Sequence, residues 1–433
     1  MTTRTRFAPS PTGQVHIGNL RVAIYNWLFA RHAGGKFLLR MEDTDRERST
    51  PEAVQAVLDA MNWLGLDTDE SPVYQSQRRQ AHEEAAEQLL RKGLAYKEDK
   101  GGTGRGEAVV FRMPGTDMSF HDEIKGALQK KAKDLKDFVI VRSDGSPVFH
   151  LANVVDDIFM NITHVIRGDD HIENTFRHIA LYQALDAPVP KFAHLPMIVN
   201  AQGKPYSKRD GDAFVGDFRE SGYLPDALFN YLALLGWSPG EDREVMTRDE
   251  MVRLFTLDRV QSSAAQFDPK KFEWMNGEHM RALPKEVHRE KYLAAIPNAG
   301  DDPAYLDAVI DVMQERVKKW PDIPGMAGFF FTDDYPYDEA AVNKRLRKEG
   351  ALELLTALKE AYTARDPFNA ETTESALREL ADARGVKPAD LIHPVRIAVS
   401  GIPHGPSLFH MLEVLGKERV VQRIDRTLQR YAP

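Results

Sequence analysis

Along the N-terminal half of the chain two hydrophobic periodicities alternate. Residues 3–8 suggest a strand, and residues 36–41 are a short apolar run that reads as another. Between them Leu20, Ala23, Ile24, Trp27 and Leu28 recur at helical spacing until Gly34-Gly35 ends the run. The spacing predicts an amphipathic helix over residues 20–31. Ser49-Thr50-Pro51-Glu52 next supplies a capping hydroxyl, a first-turn proline and an acidic residue, and Val54, Val57, Leu58, Met61 and Leu64 form the apolar stripe of the helix that follows. After an interruption the alternation resumes, with a strand at 163–167, a helix at 174–185 and a strand at 192–199. Strands separated by helices build a parallel sheet with helices on its faces.

The interruption has a different texture. Residues 97–126 are glycine-rich with short strand-like runs, and Asp144-Gly145 stands between apolar residues 138–142 and 147–151 as a hairpin signal. Residues 83–148 therefore read as a module inserted into an α/β domain whose two parts are 1–82 and 149–200. Beyond residue 284 strand signals thin out, and helical runs such as 349–365 and 374–383 dominate. Residues 201–283 connect the sheet domain to a helical region at 284–433. No internal repeat and no low-complexity linker separates these parts.

Composition narrows the class. With 433 residues the chain is long enough for roughly two to four domains, and its 42% apolar and 28% charged residues are typical of soluble globular proteins. Cysteine is absent, so disulfides are excluded and a zinc site would have to use His, Asp and Glu alone; a reducing, cytoplasmic setting is expected. No apolar stretch is long enough to span a bilayer, and the first residues lead straight into a strand without signal-peptide character, so no membrane association is expected. A net charge of −8 argues against coating a duplex, which needs a cationic surface. Any RNA contact must then be local. Basic clusters stand at Lys125, Lys130, Lys131, Lys133 and Lys136, at Arg316, Lys318 and Lys319, at Lys344, Arg345, Arg347 and Lys348, and at Lys417, Arg419, Arg423, Arg426 and Arg430. Singly, each reads first as a solvated helix face.

Candidate chemistry sits at the first strand–helix junction. The strand ending at Ala8 runs through Pro9-Ser10-Pro11-Thr12-Gly13 to His16-Ile17-Gly18-Asn19, which opens the helix. Helix N-terminal N–H groups and the helix dipole attract phosphates at such junctions. His16 can donate to a phosphate oxygen, and Gly18 has no side chain to keep a flat base from the backbone. Alone, the four-residue string is one that a turn can hold by chance. The second candidate, Lys204-Pro205-Tyr206-Ser207-Lys208-Arg209-Asp210-Gly211, is a polar loop with cations at its centre, and alone it reads as surface.

Together the two resemble the paired signatures of class I aminoacyl-tRNA synthetases. Arg6-Phe7-Ala8-Pro9-Ser10-Pro11-Thr12-Gly13, Glu42-Asp43-Thr44-Asp45, His150-Leu151-Ala152-Asn153-Val154-Val155-Asp156-Asp157 and Trp274-Met275-Asn276-Gly277 are similar, in order and spacing, to the bacterial glutamyl-tRNA synthetase family. The likeness extends to His393-Pro394-Val395-Arg396. It implies an α/β protein: a class I nucleotide-binding, Rossmann-like parallel sheet with an inserted acceptor-stem module, a connecting domain carrying the second signature, and a C-terminal all-helical anticodon-binding region. It also implies a cytoplasmic, monomeric, ATP-dependent ligase. Such an enzyme joins L-glutamate to tRNA(Glu) through a glutamyl-adenylate, releasing AMP and pyrophosphate, with Mg²⁺ accompanying the ATP.

By the same resemblance His16, Gly18 and Lys208 are catalytic, and ATP is bound by Pro9, His16, Gly18, Asn19, Ser207, Lys208 and Arg209. Glutamate meets Arg6, Ala8, Ser10, Glu42, Phe149, Asn153 and Arg167. Arg6 faces the side-chain carboxylate in a directional, charge-assisted pair, Ser10 and Glu42 receive the α-amino group, and Asn153 and Arg167 complete the carboxylate contacts. A carboxylate is already ionised at pH 7, so its attack on ATP needs no general base, and positioning with stabilisation of phosphate charge should dominate. Arg316 and Arg396 are expected at the anticodon. Arg316 occupies the place of an arginine that, in relatives discriminating between tRNAs, lies against the third anticodon letter or its neighbours, and Leu408 is expected to touch a splayed base.

The sequence departs from the family pattern at Phe149, where Tyr is usual, and at Pro205, where Lys or a similar residue is usual two places before Ser207. Its insertion is short and lacks the cysteines that hold zinc in some relatives, so no zinc is expected. Among alternatives, a glutaminyl-tRNA synthetase should carry a different first signature and a β-barrel anticodon region, and a relaxed glutamyl enzyme would also charge tRNA(Gln). A shortened tRNA-modifying paralogue would lack the anticodon part, and a non-catalytic RNA-binding module should have lost His16 and Lys208.

Overall fold

The computed structural model describes residues 2–45, 48–99, 106–240 and 242–432. Residues 100–105, in the glycine-rich stretch of the insertion, lie outside the described residues. Contacts divide the chain into two compact units, residues 1–275 and 276–433.

In the first unit β1 (Arg4–Phe7), α1 (Ile17–His32), β2 (Lys36–Met41), α2 (Pro51–Trp63) and β3 (Val73–Tyr74) follow the predicted alternation, and the three strands pair in parallel. After α3 (Arg79–Arg91) come β4 (Ala95–Glu98), β5 (Ala108–Phe111), β6 (Met118–Asp122), β7 (Gly126–Lys130) and β8 (Phe138–Val141). Then α4 (Phe149–Phe159), β9 (His164–Gly168), α5 (Ile172–Ala184) and β10 (Lys191–Leu195) restore the βα pattern. β9 pairs in parallel with β10, and the N–H of Thr163 donates to the carbonyl of Arg4 at 3.0 Å, which sets β9 beside β1. The spatial order is therefore β3-β2-β1-β9-β10. Winding reverses between β1 and β9, and α/β folds open a crevice at the strand C-termini where that happens.

The inserted segment divides its strands. β4, β5 and β8 form an antiparallel sheet of their own, whereas the β6–β7 hairpin joins the edge of β10, with Asp122 opposite Phe192.

Several local expectations change. α1 starts at Ile17, ahead of the apolar periodicity, because the His16 side chain caps it. Its polar residues Arg21, Tyr25 and Asn26 are as buried as Leu20 and Ile24, so the helix is enclosed rather than amphipathic. The Tyr25 hydroxyl donates to the carbonyls of Ala233 and Leu235 at 3.1 and 3.2 Å, Asn26 donates to that of Ile166 at 3.0 Å, and Arg21 donates to those of Leu235 and Pro196. Left unmade, each such bond would cost about 1–3 kcal/mol. Val54 and Leu58 of α2 are half-buried, outside the fully buried Val57, Met61 and Leu64. The Asp144-Gly145 turn forms, with the N–H of Arg142 donating to the carbonyl of Ser146 at 2.9 Å. However, the pairing ends with Pro147 opposite Val141 and the Val148 N–H donating to the Ile140 carbonyl at 2.8 Å, and the apolar run 147–151 feeds α4 instead of a second strand. Residues 192–199 are two strands, β10 and β11 (Ile198–Val199), separated at Pro196, which has no N–H for a ladder.

From Lys285 onward the described regular elements are helices. The C-terminal helix Lys417–Tyr431 carries a cation inward: Arg423 is buried, and its guanidinium donates to the carbonyls of Val399, Phe329 and Thr332 and pairs with Asp333. Part of that basic cluster is therefore structural. In the insertion, Lys125, Lys130 and Lys131 are paired with Asp169, Glu173 and Asp117.

Candidate active site

The C-terminal ends of β1, β2, β9 and β10 and the start of α1 surround a cleft of about 460 Å³. Arg6, Ala8, Pro9, Ser10, His16, Gly18, Asn19, Glu42, Phe149, Asn153 and Arg167 all line it. Parallel pairing explains the convergence: the last residues of strands distant in sequence emerge along one edge. Ser207, Lys208 and Arg209 are not in the lining, although Pro205 and Tyr206 are.

At one end of the cleft His16 has an extended backbone, and its Nδ1 accepts from the N–H of Gly18 at 3.1 Å. Nδ1 is thus unprotonated and the ring proton sits on Nε2. Burial lowers the imidazole pKa, against a hydrogen bond with the backbone of Tyr206 that raises it. The edge of the His16 ring meets Phe214 at 5.7 Å between centroids, and the Lys208 ammonium lies 5.8 Å from the centre of that same phenyl ring. Backbone bonds from Ile17 to Ala213 and from Val215 to Val15 fix this arrangement. The two signature segments therefore meet through Phe214. Within the second, Asp210 accepts from Asn200 Nδ2 at 2.8 Å and from the N–H and hydroxyl of Ser207 at 2.9 and 3.0 Å, while the Lys208 side chain stays 70% exposed.

The other end holds a buried ionic network. Arg6 donates through Nε to Asp157 at 2.9 Å, and Arg40, which has no exposed surface, pairs with both Asp157 and Glu42. Asn153 joins them, accepting from Arg40 at 2.5 Å and donating to Glu42 at 2.8 Å. Burial pushes the Asp157 carboxyl up, but the guanidiniums of Arg40 and Arg6 outweigh it and hold it down to about 2. Burial raises the Glu42 pKa, with Arg40 opposing.

Arg167 differs from the other two arginines. It is buried, and its hydrogen bonds go to neutral acceptors: Nε to His194 at 3.3 Å, Nη1 to His178 at 3.3 Å, and Nη2 to Thr175 at 2.7 Å and the His171 carbonyl at 3.4 Å. Burial first, then repulsion from Arg6, lowers its pKa to about 10. Arg6, Arg40 and Arg167 outnumber Asp157 and Glu42, the largely buried carboxylates beside them, which leaves a positive surplus among the buried groups; Asp170, also in the lining, is exposed. Nη1 of Arg6 and the second N–H of Arg167 Nη1 have no partner among the described residues, nor has Oε2 of Glu42.

Sequence reasoning missed Arg40, Asp157, Thr175, His178 and His194 as parts of this site. Arg40 left one signal, a lone charge inside the apolar strand β2. Phe149 stacks on His171 at 5.8 Å between ring centroids and closes that side.

In the second unit Arg316 is exposed, and it depresses the pKa of Arg396, whose main cause of depression is burial. Arg396 Nη2 donates to the Pro406 carbonyl at 2.9 Å, and its buried Nη1 has no hydrogen-bond partner among the described residues. Leu408 is buried at the start of helix Leu408–Leu415, so the apolar contact expected of it is made with the protein interior instead.

Residues 2–103 and 98–274 match the model of the class I (E and Q) tRNA synthetase catalytic domain, and residues 280–428 match that of an anticodon binding domain. The glutamate–tRNA ligase of Xanthomonas axonopodis pv. citri is 42% identical, with 99% of each chain covered. That of Methylacidiphilum infernorum is 41% identical, with 99% of this chain and 98% of the relative covered. A crystal structure of a glutamate tRNA ligase from Elizabethkingia meningosepticum in complex with its amino acid superposes with a TM-score of 0.83 at 31% identity, covering 99% of both chains. With its cleft at the β1/β9 reversal, both signature segments beside it and likeness over nearly its whole length, the chain belongs to the glutamate–tRNA ligase family of class I aminoacyl-tRNA synthetases.

Proposed function

We propose that this chain joins L-glutamate to tRNA(Glu) through a glutamyl-adenylate. The observation that carries the reading is the surplus of buried guanidinium charge beside the His16–Gly18 helix start. Zwitterionic glutamate carries one net negative charge, which offsets that surplus; neutral glutamine does not. The unpaired N–H groups of Arg6 and Arg167 would take carboxylate oxygens, and Glu42 Oε2 with Ser10 would take the ammonium. The α-carboxylate then attacks the α-phosphorus of ATP, forming an acyl–phosphate bond as the bond to pyrophosphate breaks. No proton moves, so His16 and Lys208 would act on phosphate charge, with Pro9, Asn19, Ser207 and Arg209 completing the nucleotide contacts. In the second step the 2′-hydroxyl of the terminal adenosine attacks the activated carbonyl and AMP leaves.

Class I synthetases use ATP with Mg²⁺, which neutralises phosphate charge when bound. Among the described residues no three His, Asp or Glu side chains converge as a metal cage; the ion would be held mainly by phosphate oxygens and water. Residues 83–148 would meet the acceptor stem and 284–433 the anticodon arm, with Arg316 and Arg396 approaching the bases. The reading is of a cytoplasmic monomer; no described helix is long and apolar enough to cross a membrane.

ATP–pyrophosphate exchange tests it. Glutamate with tRNA(Glu) should support exchange, and glutamine should not. Equal exchange with glutamine, or none with glutamate in the presence or absence of tRNA, would remove the proposal.

A further inference from the structure

We infer that Asp122 and His194 are positioning residues for Arg167, so that the inserted hairpin sets the affinity of the cleft for glutamate. The inference rests on Arg167 receiving a glutamate carboxylate.

Asp122 ends β6 and is fully buried, as is His194 on β10. Its Oδ1 accepts from the backbone N–H groups of Ile124, Lys125 and His194 at 3.0, 2.8 and 3.3 Å, which fixes the carboxylate. Its Oδ2 lies 2.6 Å from His194 Nδ1. Burial raises the Asp122 pKa, but these hydrogen bonds win and hold it below its ordinary value. An ionised carboxylate only accepts, so the imidazole proton sits on Nδ1 and Nε2 presents a lone pair. That lone pair faces Arg167 Nε at 3.3 Å and the Thr175 hydroxyl at 2.9 Å. Thr175 in turn accepts from Arg167 Nη2 at 2.7 Å.

With the opposite tautomer, an Nε2–H would face the Nε–H of Arg167, and its remaining acceptor would be the Thr175 hydroxyl, which already accepts from Arg167 Nη2 and lies 3.2 Å from the His171 carbonyl. The guanidinium would then turn or shift. Asp122 therefore decides, through one ring, where the cation stands. Thr175, His178 and the His171 carbonyl hold the Nη atoms, and His194 is the acceptor that holds Nε and completes the orientation of the fork.

The test is steady-state aminoacylation, with glutamate and ATP varied separately, on the full-length enzyme and its variants. Asp122→Asn keeps the shape but offers N–H to Nδ1, forcing the wrong tautomer. It should raise the KM for glutamate about ten-fold, with kcat and the KM for ATP within about three-fold. His194→Gln can place an amide oxygen near the Nε2 position and should lose less glutamate affinity than His194→Phe, and adding Asp122→Asn to His194→Phe should cost little more than His194→Phe alone. His194→Phe keeps the ring without the acceptor and should repeat the loss, a comparison that stands even if Asp122→Asn folds poorly. An unchanged glutamate KM in both Asp122→Asn and His194→Phe, equal rises for glutamate and ATP, or a further ten-fold loss in the double variant would overturn the inference. Arg167→Ala separates the layers: an unchanged glutamate KM there removes the role of Arg167 itself, whereas a large rise there with none in Asp122→Asn removes only the link.

Discussion

The imidazole of His16 and the backbone of Gly18 share one hydrogen bond, from N–H to Nδ1 at 3.1 Å, and a Cβ added to Gly18 would stand 3.3 Å from that same nitrogen. One contact thus caps α1 and leaves the ring proton on Nε2. Gly18→Ala should push the ring aside, costing about 1 kcal/mol of cap stability and slowing glutamate-dependent exchange about ten-fold. The glutamate KM should hold, because the ionic network is untouched. Thermal denaturation and exchange rates check both halves; wild-type exchange would show that the ring's place is not critical.

Lys208 is exposed and held only loosely, 4.0 Å from Asp217 and over the Phe214 ring. An amine so placed is free to swing onto phosphate charge. Lys208→Ala should lower the rate of adenylate formation about a hundred-fold, leaving glutamate binding and folding stability near wild type. Asp210→Ala, which frees Ser207 and Asn200, should give a milder loss of the same kind. Unchanged pyrophosphate exchange by Lys208→Ala in the presence of tRNA would refute the assignment.

His150 sets a pH window for stability. Burial, with repulsion from Arg177 and Arg167, lowers its pKa from 6.5 to about 4. The unfolded chain therefore takes up the proton first as pH falls. The contribution is fully present above 6.5 and is lost progressively toward 4, in all about 3 kcal/mol. The neighbouring His178, 3.2 Å away, shifts in the same direction. Urea midpoints measured between pH 7 and pH 4 should fall, and His150→Gln should flatten that fall; an identical slope in the variant would exclude His150 as its source.

Arg316 and Arg396 lie close enough to repel each other. One bidentate contact between a guanidinium and a base edge discriminates by about 1–3 kcal/mol. Wild-type enzyme should charge tRNA(Glu) in preference to tRNA(Gln), and Arg316→Gln should narrow that preference about ten-fold with the KM for glutamate unchanged. Equal charging by the wild type ends the claim. A preference that survives the substitution moves selection to Arg396 or the insertion.

What the sequence determined by itself was local. The alternation of strands and helices up to residue 199, the helical character beyond residue 284, the junction at His16 and Gly18 and the polar loop around Lys208 all follow from periodicity, capping chemistry and short strings whose meaning lies within a few residues. Tertiary structure alone decided that β9 lies beside β1, that the insertion lends one hairpin to the main sheet and keeps three strands for itself, and that Arg21 and Tyr25 are enclosed. It also decided which charges meet. Asp157 finds Arg6 and Arg40 from helix α4, and Asp122 reaches Arg167 through His194 because β6 joins the edge of β10. Periodicity records which face a residue turns inward, whereas the partner it meets there depends on strand order, and strand order is set by packing between segments far apart along the chain.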